Sequence, residues 1–178
     1  MSLRGRRAGT RAPVLMDRYL VVTVGAMRVA VSAETVEGLL TLEESGSLGS
    51  LTVQGQVYAA VDLAIRLGLS PDEDGPDTRV ILLAQGTARA NVRVACVHGL
   101  VECDRRQVLP LPHQFRGEER GWYGGLLLLG EGVSVVLRTQ WLLDGAEAVS
   151  SSGGVFLGHS QPLLSNAESL AIGKGVSC

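Results

Sequence analysis

The sequence predicts an all-β fold of small barrels or a sandwich, and three observations carry that prediction. Roughly eight or nine short runs rich in Val, Ile, Leu and Thr follow one another, each bounded by Gly, Pro or Ser turn signals. Glycine is abundant, at 23 of 178 residues, while aromatics make up only 4%, which suits many tight turns better than long helices. No strand–helix–strand rhythm recurs, so a parallel sheet is not expected.

The elements follow in order. Residues 1–16 hold Arg4, Arg6, Arg7 and Arg11 and read as a flexible, solvated basic arm. Residues 19–24 are β-branched and apolar, Gly25-Ala26 turns the chain, and residues 27–31 return as the partner strand of a hairpin. Ser32 is placed to cap a helical turn that runs through Val36 and ends near Gly38. Residues 43–49, rich in Glu, Ser and Gly, read as a loop. Residues 56–63 alternate as a strand with Val57, Ala59, Val61 and Leu63 on one face, and Asp62 caps a short helix, 63–67, that stops at Gly68. An acidic Pro/Gly loop, 71–77, leads to strands at 79–84 and 89–97 joined by a turn at 85–87. An extended stretch follows at 100–103. Pro110 and Pro112 exclude a regular central strand at 108–112. A second hairpin joins 124–129 to 133–137 through Gly130-Glu131-Gly132, and 139–143 form a last helical turn. From Gly145 onward the chain is Ser- and Gly-rich and reads as a loosely ordered tail with apolar pieces at 155–157 and 163–164.

Composition narrows the function. With 46% hydrophobic and 19% charged residues the chain can build a core. A net charge of -2 lacks the basic footprint of a nucleic-acid partner. No apolar run approaches the roughly 20 residues of a membrane span, so no direct membrane insertion is expected. The basic start lacks the apolar stretch of a signal peptide, and the odd set Cys96, Cys103 and Cys178 is no disulfide framework; a cytoplasmic protein is expected.

Catalytic and metal chemistry find little support. Cys96, His98 and Cys103 are three ligands at most, where structural zinc wants four, so a buried cysteine and a surface histidine are expected. No Gly-x-Ser-x-Gly elbow is present, His113 has no indicated partner, and Glu43-Glu44 and Glu118-Glu119 read as solvated pairs. Trp122-Tyr123 reads as a packing pair at a strand start. The expectation is a non-enzyme with no cofactor and no metal.

Two segments are more specific. Residues 49–63, Gly-Ser-Leu-Thr-Val-Gln-Gly-Gln-Val-Tyr-Ala-Ala-Val-Asp-Leu, lead into Ala-Ile-Arg-Leu-Gly-Leu. Residues 125–137, Gly-Leu-Leu-Leu-Leu-Gly-Glu-Gly-Val-Ser-Val-Val-Leu, lead into Arg-Thr-Gln-Trp-Leu-Leu. Both resemble the CheW-like domain of bacterial chemotaxis. The opening hairpin, the Val-x-x-Leu at 36–39, and Val94-Ala-Cys-Val-His-Gly-Leu-Val101 before a Leu-Pro-Leu-Pro stretch fit in the same order, so the resemblance covers about residues 17–144.

That resemblance implies two intertwined small SH3-like β-barrels with short helical turns. It implies a non-catalytic adaptor coupling the cytoplasmic tip of chemoreceptors to the regulatory domain of a CheA-type histidine kinase. The alternative is a degenerate CheW-like domain that serves another signalling system without direct kinase coupling. Carried over, the partner-binding residues are Val36, Gly49 and Gly55; Val36 reads more as core than as contact, and the glycines equally as plain turn residues. Two departures motivate the alternative. Family members usually carry Glu where Gly38 stands and Arg where Gln54 stands, two side chains that can pair; here both are missing together.

Overall fold

The structure is a computed structural model describing residues 15–46, 49–71, 73–130 and 132–150, with side chains described as far as Asp144. Its strands are β1 (Met16–Val24), β2 (Met27–Ser32), β3 (Val36–Thr41), β4 (Leu51–Val53), β5 (Gln56–Val61), β6 (Arg79–Gln85), β7 (Ala88–Val94), β8 (Cys96–Asp104), β9 (Val108–Leu109), β10 (Tyr123–Leu129) and β11 (Gly132–Leu137). Helices are short, α1 (Leu42–Ser45), α2 (Leu63–Arg66) and α3 (Glu119–Trp122), except for α4 (Thr139–Ser150).

The strands form two sheets, in the orders β8-β1-β2-β11-β10-β9 and β3-β6-β7-β5-β4. The chain begins in the first sheet, builds the whole of the second from β3 to β7, and returns to complete the first. The two small barrels are thereby intertwined, as expected. Most pairs are antiparallel, but β2 pairs with β11 and β5 with β7 in parallel. No crossover helix is needed, because the intervening chain is most of the domain in one case and α2 with β6 in the other.

Leu20, Val21 and Val22 are all buried although adjacent, because β1 is covered on both faces. Val21 joins Ala30, Cys103, Leu127 and Val136 inside the first barrel. Leu20 and Val22 join Val29 and Val31 in a larger core shared with Ala59, Val61, Ile81, Leu83, Val92 and Val94 of the second sheet. Leu142 and Leu143 of α4 complete that inter-barrel core. Arg66 at the end of α2 holds α4 in place. Its guanidinium lies 4.3 Å from the Trp141 ring centroid and donates to the carbonyls of Trp141 and Leu142 at 2.9 and 2.7 Å.

Several elements differ from expectation. Residues 33–35 form a single 3-10 turn, closed by the Thr35 hydroxyl on the Ser32 carbonyl, and Val36 starts a strand rather than ending a helix. A glycine in its middle disguises β3. Residues 42–45 form a helical turn where a loop was expected, through a capping box between Thr41 and Glu44. The expected strand at 89–97 is broken at Ala95, whose N–H donates to the Thr23 carbonyl and hands the chain to the first sheet. The closing helix runs on to Ser150, past the point where a loose tail was expected to begin. Residues 1–14 and 151–178, and the arm and tail pieces expected there, lie outside the described residues.

Candidate interaction surface

The edge strands β3 and β8, one from each sheet, share a feature that the hydrophobic pattern conceals. In β3, Val36 pairs with Leu83 and Gly38 with Leu82, so Glu37 is the extra residue of a β-bulge. In β8, Val97 pairs with Val22 and Gly99 with Val21, so His98 is extra in the same way. A regular strand puts residues three apart on opposite faces; one extra residue puts them on the same face. Val36 and Leu39 therefore lie opposite Leu83 and Ile81, and Val97 and Leu100 opposite Val22 and Leu20. All four of those partners belong to the inter-barrel core. Val36 and Val97 are half-buried against it, while Leu39 and Leu100 are 45% and 56% exposed. The inter-barrel core thus reaches solvent at each edge through a Val-x-x-Leu pair.

Both bulged residues are held by side-chain contacts. The hydroxyl of the buried Tyr58 donates to the Glu37 carboxylate, and Arg89 Nε lies 4.0 Å from the same oxygen. The Glu37 hydrogen bond, and then burial, raise the Tyr58 phenol above the ordinary tyrosine value. On the other sheet His98 Nε2 lies 2.7 Å from the Thr23 hydroxyl. Burial, and then the nearby Arg28 charge, lower the His98 pKa.

The opposite face of the second sheet sets one buried amide beside the buried Val80 and Leu82. Asn91, 8% exposed, donates from its amide to the Tyr58 carbonyl at 2.9 Å and to the Gly49 carbonyl at 3.0 Å. Beside it is a cavity of about 340 Å³ lined by Gly49, Ala60, Asp62, Pro71 and Arg93, among others. Arg93 is ion-paired with Asp74 of the acidic loop. Asp62 caps α2 by accepting from the Ile65 N–H at 2.9 Å.

The three residues carried over from the resemblance fall on separate elements. Val36 starts β3 on the inter-barrel face. Gly49 stands at the wall of the second barrel's cavity. Gly55 turns the β4–β5 hairpin together with Gln54, at φ of +77° and +50°. Two successive positive φ values make the tight turn that matches strand twist, so Gly55 has a backbone reason to be glycine. Leu39, Val97, Leu100, Glu37 and His98 were not singled out as contact residues. The signal for the leucines was an apolar residue three positions after a valine on a strand, which identifies a shared face only once a bulge is known.

The two departures from the family pattern now have surroundings. A Cβ at Gly38 would lie 3.4 Å from the Leu82 side chain, facing the second barrel's interior. Gln54 occupies the hairpin turn. A carboxylate and a guanidinium do meet on this barrel, but they belong to Glu37 and Arg89.

Cys96 and Cys103 are both buried, and among the described residues no group of three or more His, Cys, Asp or Glu side chains could hold a metal ion. Glu44 is spent in the capping box, and Trp122 stacks on Trp141 at 5.1 Å between ring centroids. Among the described residues no helix is long and apolar enough to cross a membrane.

Comparison with known proteins bears on these features. A family model of the CheW-like domain matches residues 18–147. No curated protein matches the sequence. Among solved structures, the fold is similar to the scaffolding protein TtCheW from Thermoanaerobacter tengcongensis. The TM-score is 0.59 at 15% identity, covering 70% of this chain and 90% of that one.

Proposed function

Because the chain belongs to the CheW-like domain family, a family of non-catalytic scaffolds, we propose that it is an adaptor coupling the cytoplasmic tip of chemoreceptors to the regulatory domain of a CheA-type histidine kinase. The observation that carries this reading is the pair of bulged edge strands, each extending the inter-barrel core into solvent through a Val-x-x-Leu pair. A helical receptor tip presents apolar residues at spacings of three and four, and such a stripe docks where side chains of a buried layer emerge at a groove. Val36 then contacts the receptor beside Leu39. Gly49 and Gly55 contribute through backbone geometry, the first through its bond to Asn91 and the second through the hairpin turn. Receptor state biases kinase activity through a scaffold that both partners bind, and any change that one partner makes in the affinity for the other is reciprocal.

Titration of the purified protein with a helical receptor-tip fragment, and separately with a kinase regulatory domain, tests the reading. Leu39→Glu and Leu100→Glu are expected to weaken receptor-tip binding at least tenfold, since each places a charge in an apolar contact. Both positions are substantially exposed, so the fold should tolerate the change. Wild-type affinity in both variants would refute the surface. The absence of the family's usual pair at Gly38 and Gln54 favours a second reading, an interaction module for another signalling system. Binding to neither chemotaxis partner would select it.

A further inference from the structure

The two edge-strand bulges are alike in a second respect. Each extra residue lacks a ladder partner of its own, and each sends its side chain to a polar group on another strand. We propose that Glu37 and His98 are positioning residues: they pin the two bulges, and so keep each valine and leucine on the face that meets a partner helix. This inference rests on the docking reading above.

The geometry gives each pin a specific reach. In the second sheet β5 lies three places from β3, so the bond from Tyr58 to Glu37 cannot follow the ladder and instead spans the curl of the sheet. Tyr58 is 4% exposed, which fixes the donor in one position. Arg89 Nε is buried and has no hydrogen-bond partner among the described residues, so the Glu37 carboxylate at 4.0 Å is its nearest acidic neighbour in an ion pair. In the first sheet the His98 ring reaches from β8 to Thr23 of the neighbouring strand, which pairs with Cys96 two residues before the bulge. An edge strand is held by backbone bonds on one side only, so a bulge in it can relax or migrate unless something else fixes it. Relaxation of either bulge by one residue would turn Leu39 or Leu100 relative to the core layer behind it.

The substitution that the family pattern suggests at Gly38 is thus replaced by a carboxylate one residue earlier, brought into place by the bulge. The second bulge has an independent pin of different chemistry. Two unrelated contacts with the same geometric consequence argue that the consequence, a shared face for residues three apart, is what the chain maintains.

Tyr58→Phe and Thr23→Val each remove one hydroxyl and leave the side-chain volume nearly unchanged, so the fold is expected to survive. Amide hydrogen exchange is measured across the chain, and the full-length protein is titrated with the receptor-tip fragment and with the kinase regulatory domain. Tyr58→Phe should accelerate exchange at residues 36–39, and Thr23→Val at 97–100. Each should weaken receptor-tip binding about five- to tenfold, and kinase-domain binding should be unchanged. Evenly accelerated exchange, no acceleration, or local acceleration with full receptor affinity would overturn the proposal. A wild-type protein that binds no receptor tip refutes the docking reading, and the exchange pattern then separately decides whether the two side chains hold the bulges.

Discussion

Replacing Asn91 with alanine removes a single buried amide that ties two strands of the second barrel to the segment before β4. Its two N–H groups reach the carbonyls of Tyr58, on β5, and Gly49, just before β4, from a position on β7. The two acceptors differ in what they lose. The Tyr58 carbonyl lies in a buried part of the sheet, and a buried acceptor without a donor costs about 1–3 kcal/mol. The Gly49 carbonyl borders the cavity, where water can replace the amide, so only the net worth of one hydrogen bond is lost, about 1 kcal/mol. The sum is roughly 2–4 kcal/mol, a large share of the 5–15 kcal/mol typical of a domain. Urea unfolding followed by fluorescence of Trp122 and Trp141 measures it, because both tryptophans pack against the inter-barrel core. A loss below about 0.5 kcal/mol with an unchanged denaturant slope would refute the reasoning, since that is within the range of an ordinary surface substitution.

Two further outcomes are expected. Gly125→Ala should destabilise the first barrel by about 1–3 kcal/mol, the usual cost of overpacking, because the added Cβ would lie 2.5 Å from the Leu109 carbonyl oxygen and 2.7 Å from a Val108 methyl. Loss of the β9–β10 pairing, read by amide exchange at Leu126 and Leu127, checks it. Tyr19, Tyr58 and Tyr123 all have phenols raised above their ordinary value, Tyr58 first by its bond to Glu37 and the other two first by burial. A raised acid keeps its full contribution to stability below the unfolded value of about 10 and loses it as pH climbs through the folded value. Unfolding free energy should therefore fall above about pH 10, and less steeply in Tyr58→Phe; a Tyr58→Phe profile parallel to wild type would contradict the assignment.

The parts of the fold legible in the sequence are those fixed by neighbours along the chain. The β1–β2 and β10–β11 hairpins follow from apolar runs flanking Gly25 and Gly130, and the Asp62 cap from an acidic side chain one residue before a helical turn. The family is legible for a related reason: the order and spacing of such local pieces carry the resemblance, and the CheW-like family model matches residues 18–147. The single glycine in β3 and the capping box after it were misjudged locally, since a glycine inside a strand reads as its end.

The candidate surface was less legible, and for a physical reason. Which face a side chain occupies depends on its partner across the ladder, and here those partners are far away in sequence: Leu39 opposite Ile81, Leu100 opposite Leu20. One extra residue in either strand inverts every face beyond it, and nothing in the residues Val36 to Leu39 or Val97 to Leu100 states that the extra residue is there. Read residue by residue, the chain is legible as a β-rich, CheW-like domain. The bulges in the two edge strands, the hydrogen bonds from Tyr58 and Thr23 to the bulged residues, and the exposure of Leu39 and Leu100 beside the inter-barrel core came from tertiary contacts, because each depends on strands brought together from distant parts of the chain.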